Sequence, residues 1–219
     1  MPNSSARILV VDDEPSIRIS LSHALAEIGY RTRSAEDGFT ALQEIRQQMP
    51  DILVSDLNMP GMSGFELLSV IRRRFPAIHA IAMSGAFSGD EVPSGVAADA
   101  FYQKGSSMGA LLRIMGTPPD MARRAARRSG ATDPIWIQRN EQNAWGEGYI
   151  TIACPECLRT FPQATGSSTC QIHDTICIYC RCSIHYAIVE PLERLPLQVL
   201  LKVPAEAMAM QENPAQFYY

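Results

Sequence analysis

The chain has 219 residues, 46% hydrophobic and 19% charged, with a net charge of −4. This is the balance of an ordinary globular protein and gives no overall pull toward nucleic acid or anionic membrane. No apolar run approaches the roughly 18 residues that span a bilayer, and the polar stretch Met1–Ala6 leads straight into a strand, so no signal peptide and a cytoplasmic location are expected.

Ile8–Val11 is a short apolar run ending in Asp12-Asp13-Glu14, as a buried parallel strand feeding a polar loop reads. Ile17, Leu21, Leu25 and Ile28 recur at helical spacing, and Gly29 closes that helix. A strand over Tyr30–Ser34 and a helix carrying Phe39, Leu42 and Ile45 follow. Ile52–Ser55 is the third strand, with Asp56 at its C-terminal end. Pro60-Gly61 and Ser63-Gly64 mark a turn-rich loop before a helix with Phe65, Leu68 and Ile71. That helix closes on Arg72-Arg73-Arg74. Ala77–Met83 is the fourth strand, leading to Ser84-Gly85. Gly89–Ala98 is a poor helix, interrupted by Pro93 and Gly95. Ala100–Gln103 is the fifth strand, ending at Lys104, and Ser107–Met115 the last helix. Such alternation predicts one parallel α/β sheet, doubly wound, over residues 1–118.

Ligands of open α/β sheets bind outside the carboxyl ends of the strands. Asp12, Asp13, Asp56, Ser84 and Lys104 all fall there. Three converging carboxylates require a cation, and hard oxygen ligands suit Mg²⁺. Lys104 and Ser84 suit the oxygens of a phosphoryl group, and a carboxylate beside a metal can become an acyl phosphate. The set points to Mg²⁺-assisted phosphoryl transfer to Asp56.

The segments ILVVDDEPSIR, DILVSDLNMPGMSGFELL, AMSGA and FYQKG resemble the motif blocks of the response-regulator receiver domain, in order, across residues 7–115. The resemblance implies a CheY-like (βα)5 flavodoxin-like fold and a partner histidine kinase or histidine phosphotransfer protein. It implies Mg²⁺ held by Asp12, Asp13, Asp56 and the backbone carbonyl of Asn58. It also implies phosphoryl contacts from Ser84 and Lys104, and Phe101 as the aromatic that reports the switch state. Two departures stand out. Gly105 follows Lys104 where the family usually has proline, and the stretch from Ser84 to Lys104 is short, so the usual output face is expected to be reshaped.

All six cysteines lie after position 150. Cys154-Pro-Glu-Cys157 and Cys177-Ile-Tyr-Cys180 are two C-x₂-C knuckles, the arrangement that presents four thiolates to structural Zn²⁺. Residues 135–190 resemble a zinc ribbon with strands Tyr149–Ala153 and Ser183–Val189. Cys170 and Cys182 stay unpaired in this scheme, and His173 or His185 are alternative ligands. Between the units, residues 119–134 carry Arg123, Arg124, Arg127 and Arg128 as a basic linker or helix, and residues 191–219 form a tail. The ribbon holds three basic residues (Arg139, Arg159, Arg181) against five acidic ones, which favours protein contact over nucleic acid. The alternative is a DNA-binding transcriptional regulator using the ribbon and the Arg123–Arg128 stripe. Residues 119–219 show no catalytic constellation, so no separate enzyme output is expected.

Overall fold

The computed structural model describes residues 6–87, 95–117, 134–139, 148–164 and 171–189. The basic stripe Arg123–Arg128, Cys170, Pro93 and the tail 191–219 lie outside the described residues.

Five strands, β1 (Arg7–Val11), β2 (Arg31–Ala35), β3 (Ile52–Asp56), β4 (His79–Ser84) and β5 (Ala100–Gln103), form a parallel sheet in the order β2-β1-β3-β4-β5. Strand alternation divides its apolar residues between two faces. Ile8, Val10, Val54, Ile81 and Met83 face α1 (Pro15–Glu27) and α4 (Met108–Gly116), which contribute Leu25, Leu111 and Met115. Leu9, Val11, Leu53, Ala80 and Ala82 face α2 (Gly38–Gln47) and α3 (Gly64–Arg74).

Local signals start each helix. Pro15 opens α1, where its fixed φ suits the first turn and no N–H is wasted. The Asp37 side chain accepts from the Thr40 N–H at 2.7 Å ahead of α2. Ser63 and Glu66 form a reciprocal capping box at α3. Ser107 caps α4 by accepting from the Ala110 N–H. The last helix therefore begins at Met108, within a residue of the sequence expectation.

The second unit holds a three-stranded sheet in the order β6-β10-β9 and a hairpin β7-β8. Its strands are β6 (Ile135–Gln138), β7 (Tyr149–Ala153), β8 (Thr160–Ala164), β9 (Ile172–Ile176) and β10 (Ser183–Val189). Ile150, Ile152, Phe161, Ile184, Tyr186 and Ile188 make its core, together with Cys154 and Cys177.

The two units share a core. Trp136, Ala187 and Val189 belong to the same apolar cluster as Leu53, Phe65, Leu68 and Ile71. The Trp136 ring lies 4.6 Å from the Phe65 ring, centroid to centroid, and its indole N–H donates to the Gly95 carbonyl at 3.0 Å. The Ser69 hydroxyl donates to the Pro134 carbonyl at 3.3 Å. The Gln138 N–H donates to the Glu66 carboxylate at 3.4 Å, and its side-chain amide donates to the Gly61 carbonyl. Gly95–Ala98, the described part of the expected poor helix, is not helical. Instead Val96, Ala98, Phe87 and Phe101 pack against the cluster that includes Trp136.

Truncating a buried indole leaves a cavity that the surroundings close only in part. Trp136→Ala is expected to lower the stability of the chain by about 3–5 kcal/mol in equilibrium urea unfolding followed by the helical signal of α1 to α4. A loss below about 1 kcal/mol would mean that the shared core contributes little to holding the units together.

Candidate functional site

The parallel sheet aims the ends of β1, β3, β4 and β5 at one spot. Asp12 follows β1, Asp56 ends β3, Ser84 ends β4, and Lys104 follows β5. The carboxylates of Asp12, Asp13 and Asp56 lie within 4.8 Å of one another. The Lys104 ammonium sits 2.8 Å from a carboxylate oxygen of Asp12 and 2.8 Å from one of Asp56. Asp12 and Asp56 are buried, whereas Asp13 is the more open of the three. The Arg18 guanidinium on α1 donates to the Asp12 carbonyl at 2.7 Å and so ties the acidic loop to the first helix.

The electrostatics follow from this crowding. Burial raises the Asp56 carboxyl above its ordinary value, with help from Asp12 and against the pull of Lys104 and the Asn58 N–H. Burial and the neighbouring Asp12 raise Asp13 as well. Burial works against the Lys104 ammonium, but Asp12 and Asp56 outweigh it and hold its pKa above the usual lysine value. One ammonium faces three carboxyl groups, so ionised they leave a surplus of negative charge. A compact, oxygen-lined acidic pocket of this kind fits a hard divalent cation such as Mg²⁺.

The remaining expected residues sit around this pocket in unequal ways. Ser84 is buried, and its hydroxyl accepts from the Ala86 N–H at 3.1 Å. The Asn58 N–H donates to Asp56 at 3.4 Å. Phe101 is half-buried against the cluster shared with Trp136. Gly105 adopts φ +84°, a left-handed conformation that glycine takes without strain, and the Ser106 N–H closes the turn onto the Gln103 carbonyl at 3.1 Å. The Lys104 loop is thus built on a glycine turn.

Gly64 is a residue whose importance the sequence reading missed. A Cβ there would lie 1.8 Å from the Asp56 carbonyl oxygen. Only glycine lets α3 start this close to the end of β3, and the Gly64 N–H donates to the Leu57 carbonyl at 2.9 Å. The Ser63-Gly64 pair signalled a turn, but not this close approach.

In the second unit Cys154, Cys157, Cys177 and Cys180 bring their sulfurs within 4.8 Å of one another. Cys154 and Cys180 are 3.6 Å apart, and Cys157 and Cys177 are 3.7 Å apart. Burial works to raise the Cys154 thiol, but the N–H groups of Cys157 and Glu156 and the Cys182 thiol outweigh it and bring it down to about 6. The Arg159 N–H pulls the Cys157 thiol down, but burial and the neighbouring cysteines outweigh it and push it up to about 11. Thiols this crowded compete for negative charge, and a soft divalent cation relieves the competition. Four sulfurs in this arrangement fit Zn²⁺. His173 instead lies against the Tyr186 ring at 5.3 Å, and His185 pairs with Asp174. Neither histidine belongs to the cluster.

Residues 8–111 match the family described as response regulator receiver domain. The DNA-binding transcriptional regulator NtrC of Escherichia coli is 42% identical over 77 residues, covering 35% of this chain and 16% of NtrC. The transcriptional activator protein ExaE of Pseudomonas putida is 38% identical over 79 residues and is covered over 37% of its length. The chemotaxis response regulator CheY4 of Vibrio cholerae is 30% identical, with 50% of this chain and 98% of that one covered, at a TM-score of 0.47. The chain thus spans well under half the length of NtrC and ExaE. No described helix is long and apolar enough to cross a membrane.

Because Asp13 and Asp56 have folded-state pKa values above the ordinary 3.8, they cost the fold stability as pH rises through that range. Without added metal at pH 7.5, Asp13→Asn is expected to raise the melting temperature by roughly 2–4 °C. The gain should narrow on acidification, as the wild-type carboxyls regain their protons, and the stabilisation by Mg²⁺ should shrink in the variant. Scanning calorimetry showing an unchanged Mg²⁺ response in Asp13→Asn would remove Asp13 from the cation site.

Proposed function

Since residues 8–111 belong to the response regulator receiver family, we propose that this protein is a two-component response regulator whose Asp56 accepts a phosphoryl group from a partner histidine kinase or histidine phosphotransfer protein. The observation that carries this reading is the Lys104 ammonium held 2.8 Å from both Asp12 and Asp56 at one edge of the sheet. In the reaction a carboxylate oxygen of Asp56 attacks phosphorus. The bond from phosphorus to the donor histidine nitrogen breaks, its electron pair stays on the imidazole, and an acyl phosphate forms on Asp56.

Asp12, Asp13, Asp56 and the Asn58 carbonyl would hold Mg²⁺, which neutralises charge on the transferring oxygens. Lys104 already bridges two carboxylates, and its flexible stem lets the ammonium follow the phosphoryl oxygens. The Ser84 hydroxyl oxygen accepts from the Ala86 N–H, which leaves its own proton to donate to a phosphoryl oxygen. The phosphoryl group adds roughly −1.5 to −2 charge, a local change that can bias a packed two-state element.

The element to be biased is the shared core. Phe101, Phe87 and Trp136 meet in one cluster, and Gln138 bonds both to the Gly61 loop after Asp56 and to Glu66 at the start of α3. This supports a receiver that controls a zinc-binding module packed directly upon it. The module's output is contact with another protein, in keeping with its few basic residues.

Acetyl phosphate with Mg²⁺ is expected to label the protein, and Asp56→Asn to abolish the label; persistent labelling of the variant would place the acceptor elsewhere. Beryllofluoride should change the emission of Trp136 in a Trp145→Phe background and leave it unchanged in Asp56→Asn. An unresponsive Trp136 would argue against control through the shared core. Metal analysis should find zinc equimolar with the chain and its loss in Cys154→Ser; a zinc-free folded module would sink the ribbon assignment.

A further inference from the structure

The two knuckles follow the same backbone path. In each, the residue after the second cysteine is left-handed, Leu158 at φ 62° and Arg181 at φ 64°. Its N–H donates to the carbonyl of the first cysteine, Leu158 to Cys154 at 2.9 Å and Arg181 to Cys177 at 3.0 Å. The first cysteine's N–H in turn donates to the carbonyl of the sixth residue, Cys154 to Arg159 and Cys177 to Cys182, both at 2.9 Å. Arg159 and Cys182 are therefore equivalent positions. The bonds that shape the turn come from their backbone, so the turn itself does not call for a cysteine.

The side chains at these positions do different things. Arg159 sends its guanidinium over the Tyr179 ring, 5.2 Å from the centroid. Cys182 sets a sulfur at the edge of the four-thiol cluster, against two of its members. Its Sγ is 3.4 Å from Cys154 Sγ and 3.4 Å from Cys180 Sγ, with those two 3.6 Å apart. The three sulfurs form a nearly equilateral triangle. With metal–sulfur bonds of about 2.3 Å, the edges of a tetrahedral tetrathiolate are about 3.8 Å. Cys182 thus stands as near to Cys154 as one ligand stands to another.

We propose that Cys182 is a fifth thiol of this metal site and can take the coordination position of Cys180. The proposal rests on the reading that the cluster binds Zn²⁺. A tetrahedral ion holds four thiolates, so five sulfurs cannot all bind at once. Cys154, Cys157 and Cys177 supply three positions, and Cys180 and Cys182 contend for the fourth. Their surroundings differ, since Cys180 is exposed and Cys182 is partly covered. An electrophile that modifies the exposed Cys180 would leave a replacement ligand in place, and the ion would be retained.

Cobalt(II) reports on the number of bound thiolates through its sulfur-to-metal charge-transfer absorption. The full chain is titrated with Co²⁺ as wild type, Cys180→Ser, Cys182→Ser and the double variant. Each single variant should keep the four-thiolate intensity and bind within about tenfold of wild type. The double variant should lose a quarter of the intensity and bind at least about a hundredfold more weakly. A three-thiolate spectrum for Cys180→Ser beside an intact one for Cys182→Ser would overturn the proposal and leave Cys182 as packing. The reverse pattern would overturn it too, by making Cys182 the sole fourth ligand. A wild-type chain without the charge-transfer band would end the metal reading itself and the sharing with it.

Discussion

Three carboxyl groups and one ammonium at the end of a buried sheet set the terms for the rest of the molecule. Asp12 and Asp56 are held at the tips of neighbouring strands, β1 and β3, and cannot move apart without breaking the pairing between them. Lys104 reaches both but balances only one charge. Everything around the pocket serves to keep this imbalance in place. Arg18 ties down the loop carrying Asp12 and Asp13, and Gly64 lets α3 begin directly over the Asp56 carbonyl. A charge surplus that is confined but accessible would be relieved by a bound cation, and against a small net stability even a modest relief counts.

The second unit is joined to this site through packing rather than through a tether alone. β6 alternates: Ile135 and Ile137 turn to the ribbon core, while Trp136 and Gln138 turn to the receiver. β10 does the same, with Ile184, Tyr186 and Ile188 on one side and Ala187 and Val189 on the other. Both strands are apolar on both faces because each lies between two cores. The first unit's apolar face is covered partly by α2 and α3 and partly by residues that arrive from much later in the chain.

Most of the acidic edge was legible in the sequence because its signals are local. Apolar runs of strand length ending in Asp12, Asp56, Ser84 and Lys104 place those residues at one edge once the sheet is parallel. The knuckle spacing foretold the four clustered thiols in the same way. Less legible were features that depend on distant partners. Nothing near Phe65 announces Trp136, since the bonds joining these segments span 65 to 77 residues of sequence. Arg72, read only as part of a basic helix end, forms a buried pair with Asp99 at 2.9 Å. Cys182 stood out as an unpaired cysteine, but its place beside Cys154 and Cys180 needed the knuckle geometry. Gly95 signalled an irregular stretch, and the described residues Gly95–Ala98 are not helical, but nothing local signalled that Trp136 would bond to the Gly95 carbonyl.

The double-sided burial of β10 would make metal supply a term in the stability of the first unit, if the thiol cluster holds an ion. The face that carries Ile184, Tyr186 and Ile188 packs with Cys154 and Cys177, while the opposite face packs into the receiver core. An ion that binds the folded thiols and not the unfolded chain stabilises everything that unfolds with them. Zinc bound by the thiols would then set how much of the folded chain is present, independently of anything that happens at the acidic pocket.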